Sequence, residues 1–295
     1  MTQGSARPDV ASVLGQLKDF QRATAAYAFD RLYGDEDPTH RFLVADEVGL
    51  GKTLVAKGLI ALAVDHLWDT TRRIDVIYIC SNAAIARQNL NRLKLAGVDD
   101  VGLASRITML PVELKNLNRR KLNFVSFTPS TSFDLRSSLG MMSERALLHT
   151  MLQIVWGVKG AGPKNALQGT AGTRYFRSRL EDYSPADIDR SITERFATAL
   201  DERIRSDRAD GKEDLRARWE KLCAVYSRTA ERKRRPDADK RMQVSIVGEL
   251  RDILATTCLR ALEPDLIILD EFQRFKHLLD EDTDESRLAR DLFNY

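Results

Sequence analysis

A Lys-Thr pair directly behind two closely spaced glycines, and two adjacent acids closing an apolar run far downstream, are the residues of this chain equipped for chemistry. The first set is ADEVGLGKT at 45–53, in which Gly49, Leu50 and Gly51 lead into Lys52 and Thr53. Glycines let successive backbone N–H groups turn toward one anion, and a helix starting there adds the positive end of its dipole. In such a loop Lys52 reaches the β- and γ-phosphates of a nucleotide, and the Thr53 hydroxyl ligates Mg2+. The strict phosphate-loop pattern asks for glycine where this chain has Asp46. The second set is PDLIILDEFQ at 264–273, an apolar run that delivers Asp270 and Glu271 at its C-terminal end. Asp270 would hold Mg2+ through water, and Glu271 would polarise an attacking water. Each set has a plain structural reading, a glycine turn capping a helix and acids in a first helical turn. Their joint occurrence favours hydrolysis of ATP with Mg2+.

Such residues need a sheet to hold them. Residues 10–34 place apolar side chains at helical spacing, predicting a helix or helix pair. FLVA at 42–45 reads as a short buried strand, and 53–68 as a helix packed on a sheet. IDVIYICS at 74–81 is a nearly continuous apolar run, as expected of a parallel strand covered on both faces. Ser81-Asn82 offers a cap to the helix AAIARQNLNRL. Shorter strands are expected at 106–110 and 123–129, and a strong one at 265–270. Strands alternating with helices predict an α/β fold on a parallel sheet. From Phe133 to Pro264 the periodicity is helical, which predicts an insertion, densely charged between Ala186 and about Met242. Within it, 156–174 holds five glycines and a proline, and a mobile loop is expected there.

A chain of 295 residues suits one enlarged domain, and 43% hydrophobic with 30% charged residues allows both a core and a solvated surface. The net charge of +3 does not impose a polyanionic partner, so any basic surface must be local. The clusters Arg119-Arg120-Lys121 and Arg232-Lys233-Arg234-Arg235 are the places for one, or else solvated helix faces. No apolar run approaches the roughly 20 residues that span a bilayer, and the N-terminus lacks a signal peptide's apolar core; no membrane and a cytoplasmic setting are expected. Cys80, Cys223 and Cys258 lack metal or redox spacing, and the four histidines are scattered.

With the elements in place, ADEVGLGKT and LDEFQ resemble the motifs of superfamily 2 helicases and translocases of the DEAD/DEAH-box kind. The likeness is greatest to the switch/sucrose-nonfermentable chromatin remodellers and their bacterial relatives, whose phosphate loop reads DE-x-GLGKT. That family expects an acid at Asp46. The resemblance implies a RecA-like P-loop NTPase lobe with a large helical insertion. It divides the chain into an N-terminal helical segment (1–40), a first part of the lobe (41–135), the insertion (136–262) and the end of the lobe (263–295). It implies an adenine-reading motif at Phe20 and Gln21, where an amide can pair with both edges of adenine, a surface helix Gln being the alternative. It also implies nucleic-acid backbone contacts from Ser81 and Asn82 in CSNAAIARQNLNRL, and from Thr128 and Thr131 in FTPSTSF, with Ser130 in place of the family's glycine. These residue types are equally at home as caps and turns. Gln273 would couple the hydrolysis site to a partner lobe.

Function follows as an expectation from that resemblance: ATP hydrolysis coupled to binding of, or movement along, nucleic acid, with DNA the first choice. A second RecA-like lobe, in cis beyond Tyr295 or in trans, would supply the arginine finger, which contributes about 10³–10⁵ in rate. ATP binding is therefore a firmer expectation than turnover. The rival reading is a nucleotide-gated module that binds ATP without turnover while the insertion docks a protein partner. A small-substrate phosphotransferase lacks a recognisable acceptor site. Bacterial relatives with an LDEFQRF-like stretch include anti-phage defence proteins, and defence is expected on that ground alone.

Overall fold

The computed structural model describes residues 7–34, 38–39, 41–44, 51–95, 102–104, 106–128, 135, 138–227, 236–262, 264–274 and 290. Four strands, β1 (Ile74–Ile79), β2 (Gly102–Ala104), β3 (Leu122–Phe127) and β4 (Leu266–Leu269), form one all-parallel sheet in the order β2-β3-β1-β4. Every residue of β1 is buried, which suits its β-branched composition and its central place. It runs in register with β3 from Ile74↔Leu122 to Ile79↔Phe127, and with β4 from Val76↔Leu266 to Ile79↔Leu269.

Alternation along the strands gives the sheet two apolar faces. Val76 and Tyr78, with Leu122, Phe124 and Leu266, face α1 (Val10–Gly15), α2 (Asp19–Tyr33), α3 (Lys52–Leu67) and α4 (Ala83–Leu93). Ile77 and Ile79, with Val125 and Phe127, face α5 (Leu110–Leu117) and the long helical stretch. That stretch comprises α6 (Met142–Trp156), α7 (Ala161–Gln168), α8 (Thr173–Glu181), α9 (Arg190–Ala209), α10 (Leu215–Ser227) and α11 (Asp237–Leu262). Its Met151, Phe196, Trp219 and Leu254 belong to one continuous core with the sheet residues. The helical stretch is therefore a full layer of the α/β body.

The edge at which the strands begin is pinned by polar groups. Buried Asp75 pairs with Arg73 at 2.6 Å and accepts from Asn123 Nδ2 at 2.9 Å, while its own N–H donates to Asp265 Oδ2 at 2.8 Å. Burial, the largest influence on Asp75 and Asp265, raises both carboxyl pKa values despite these partners.

Three local expectations are corrected. Residues 107–109 form a 3-10 turn leading into α5 instead of a strand, because Ile107, Leu110, Leu114 and Leu117 bury one helical face and Pro111 sits in the first turn of α5. The glycine-rich run 156–174 is not a mobile loop: four of its five glycines flank α7 and Gly162 lies in its first turn, Ala166 and Leu167 are fully buried, and Asn165 Nδ2 donates to Tyr226 O at 2.9 Å. No strand occurs at 42–44; Phe42 packs edge-on against Tyr27 at 5.7 Å, and Ala45 lies outside the described residues. The short strand β2 was not anticipated.

Candidate nucleotide site

The ends of α2 and α3 establish at which edge of the sheet the first turn of α3 lies. The Tyr33 hydroxyl donates to Asp265 O at 2.7 Å, and the His66 ring lies 5.6 Å from that of Tyr33. Both helices thus end at the edge where the strands begin. With 16 residues α3 is about 24 Å long, so its first turn lies at the opposite edge, where β1 and β4 end. Ligands of open parallel sheets bind at that edge.

Gly51 caps α3 in a left-handed conformation at φ 80, and its carbonyl accepts from Leu54 N–H at 2.8 Å. A Cβ at this position would fall 2.6 Å from Gln21 Nε2. Glycine is thus required for both conformation and space. Gln21 is 3% exposed, and its Oε1 accepts from Lys18 N–H at 3.1 Å. It is no surface helix filler; its amide lies against Gly51. Phe20 is exposed beside it, and Leu54 stands exposed across Gly51. Lys52 is exposed and Thr53 half-buried in the first turn of α3. Asp46, Gly49 and Leu50 lie outside the described residues.

Asp270 and Glu271 follow β4 directly. Asp270 N–H continues the ladder to Ile79 O at 2.8 Å. Its Oδ2 accepts from the Tyr78 hydroxyl and from Asn89 Nδ2 at 3.1 Å, and the same amide donates to Tyr78 Oη at 2.9 Å. Oδ1 has no hydrogen-bond partner among the described residues. Glu271 lies at φ 55, in a left-handed conformation uncommon for a residue with a side chain. Its Oε2 accepts from the Ser81 hydroxyl at 2.5 Å and lies 3.3 Å from Arg274 Nε.

Among the other predicted residues, Asn82 is exposed and caps α4, its Oδ1 accepting from Ile85 N–H at 3.4 Å. Thr128 is buried at the end of β3, Gln273 is exposed beyond Glu271, and Thr131 lies outside the described residues, as does the cluster 232–235. Sequence reasoning missed Tyr78 and Asn89. The signals were a lone hydroxyl-bearing residue in an otherwise aliphatic strand face and a polar residue on the buried side of α4.

Among the described residues no three of His, Cys, Asp or Glu gather as a metal cage. Mg2+ does not need one, since it keeps several waters and takes one or two carboxylates besides phosphate oxygens. Asp270 Oδ1, without a hydrogen-bond partner among the described residues, and the Thr53 hydroxyl suit that demand.

Fold and site define an α/β protein whose parallel sheet gathers a glycine-capped helix, a buried amide and a clamped acidic pair at its C-terminal edge. Comparisons with protein-family models, curated proteins and solved structures found no match. No helix of the described residues is long and apolar enough to cross a membrane.

Proposed function

We propose that this chain is the ATP-binding motor lobe of a nucleic-acid-dependent helicase or translocase of the RecA-like kind. The observation that carries the reading is the convergence of Gln21, Gly51 and the pair Asp270–Glu271, distant in sequence, on one edge of the sheet. In this reading Gln21 and Phe20 take the adenine, the first turn of α3 and Lys52 take the phosphates, and Thr53 and Asp270 hold Mg2+. The ion, when bound, neutralises charge on the phosphate oxygens. Glu271 orients and polarises the attacking water. Tyr78 and Asn89 keep the Asp270 carboxylate in place. Exposed Asn82 and half-buried Ser81 offer contacts to a nucleic-acid backbone, DNA in the first instance. A second lobe, in cis or in trans, closes the cleft.

A second reading, ATP binding without turnover, is favoured by the engagement of Glu271 Oε2 with Ser81 and Arg274. One assay separates the two: ATP hydrolysis by the full chain, with and without single- and double-stranded DNA or RNA. The motor reading expects turnover that nucleic acid stimulates and that Glu271→Gln reduces by at least about 100-fold while nucleotide binding persists. Binding with no turnover under any condition selects the second reading.

A further inference from the structure

The two acids are neighbours in the chain but are held by different kinds of partner. Asp270 is clamped by Tyr78 and Asn89, which are 1% and 7% exposed, so nothing arriving from solvent can take these donors away. Glu271 is held at the surface. Ser81 is half-buried at the junction of β1 and α4, beside exposed Asn82, and the Arg274 side chain is 63% exposed. Both groups on Glu271 Oε2, a hydroxyl and a guanidinium, are groups that bind phosphate. A serine hydroxyl has one proton to donate, and it cannot serve Glu271 and a phosphate oxygen together. With Oε2 accepting from Ser81 at 2.5 Å and lying 3.3 Å from Arg274, the carboxylate is held in one orientation and cannot turn freely toward a water. The left-handed backbone of Glu271, at φ 55, is a strained arrangement that these contacts help to hold.

We propose that Ser81 is a positioning residue that restrains Glu271 until a nucleic-acid phosphate takes the Ser81 hydroxyl and frees the carboxylate to act on water. The assignment rests on the motor-lobe reading and adds to it the link between track and hydrolysis. Coupling of this kind is reciprocal: if bound nucleic acid releases Glu271, then disabling Glu271 must strengthen nucleic-acid binding.

The test is a double-mutant cycle on the full chain, read as the affinity for a fluorescently labelled single-stranded oligodeoxythymidine, and for a double-stranded DNA, at fixed salt. Glu271→Ala, which removes the acceptor of the Ser81 hydroxyl, is expected to tighten binding about tenfold in the parent, the scale of one hydrogen bond to a charged group. In the Ser81→Ala background the same change should shift affinity only by the loss of charge, about twofold or less. Ser81→Thr, which keeps the hydroxyl, should restore the full gain. In turnover assays Ser81→Ala should raise the rate without DNA toward the stimulated rate, so that the stimulation ratio approaches one. An equal gain from Glu271→Ala in both backgrounds, or a fall in unstimulated turnover on Ser81→Ala, overturns the proposal while leaving the motor-lobe reading intact. Failure of the parent to bind either DNA or a single-stranded RNA of the same length removes that reading, and the proposal with it.

Discussion

A phenol buried beside a carboxylate has to keep its proton, and Tyr78 is so placed: burial first, then its hydrogen bond to Asp270, push its ionisation far above the ordinary phenol range. The hydroxyl is therefore a dependable donor to Asp270. Tyr78→Phe removes that donor with little change of volume, leaving Asp270 with Asn89 alone. A hydrogen bond to a charged group contributes about 1.5–3 kcal/mol, so Mg2+-dependent ATP binding should weaken by about tenfold, while binding of nucleotide in EDTA stays as it was. A magnesium titration of nucleotide affinity checks this, and an unchanged midpoint would sink the role given to Tyr78. The residues proposed to touch phosphate announce themselves by type and spacing, as Gly51, Lys52 and Thr53 do. Those that only hold an acid in place do not: in sequence Tyr78 is one more aromatic residue in a strand, and such residues favour strands for packing reasons alone. Its role needs Asn89, eleven residues on in α4, and Asp270, which β4 brings alongside β1.

At the scale of elements, periodicity identified β1, β3, β4 and α3 because each is long enough, or uniform enough, for its pattern to show. RITML at 106–110 failed as a strand because three apolar positions in a short window fit either period, and only the partners of Ile107 and Leu110 decide. The glycine-rich run misled for a different reason, since glycines at the ends of a helix and glycines in a loop look alike in composition. One joint between elements was invisible altogether. Arg251 of α11, buried, donates to Leu135 O at 2.8 Å and Ser138 O at 3.0 Å, and pairs with buried Glu144 of α6 at 3.3 Å. Thr108 of the 3-10 turn donates to the same carboxylate at 2.5 Å. Burial pushes the Glu144 pKa up, but Arg251, Thr108 and the Met141 N–H outweigh it and leave the value lowered. Its contribution to stability is thus present above the carboxyl's unfolded pKa and is lost as pH falls through the folded one. Removing Arg251 leaves buried Glu144 with only the longer pairing to Arg106 at 3.5 Å, so Arg251→Met should destabilise the fold by about 3–5 kcal/mol at pH 7. The double variant Arg251→Met/Glu144→Leu should lose markedly less. Urea unfolding of the three proteins decides; a double variant as unstable as the single one would show the pair to be no unit.

The described residues form one sheet between two helical layers, and two ionisable groups of the larger layer, half-buried Glu113 and buried His149, act on its stability in opposite senses. Glu113 of α5 is pushed up to about 7 by burial, and its Oε2 has no hydrogen-bond partner among the described residues. Tyr183 and fully buried Cys258 share its surroundings and are themselves raised, chiefly by burial. His149 of α6 is pushed down to about 4, by burial and then by Lys164, and its Nε2 is likewise without a partner among the described residues. Each group is neutral in the folded core near the middle of this range. For Glu113 the folded state holds its proton more tightly than the unfolded chain, so stability is full below about pH 4.5 and falls by about 3 kcal/mol as pH rises through 7. For His149 the unfolded chain is the tighter proton binder, so stability is full above about pH 6.5 and falls by a similar amount as pH drops through 4. The two slopes nearly cancel between pH 4 and 7, and the parent hides both. Glu113→Gln should unmask the histidine: relative to the parent, it should gain about 3 kcal/mol between pH 4 and pH 7, with the gain growing as pH rises. His149→Gln should show the mirror image, its advantage growing as pH falls. Denaturant midpoints for the three proteins across that range test both arms, and variants that track the parent in parallel at every pH would show that neither group titrates out of step with the unfolded chain.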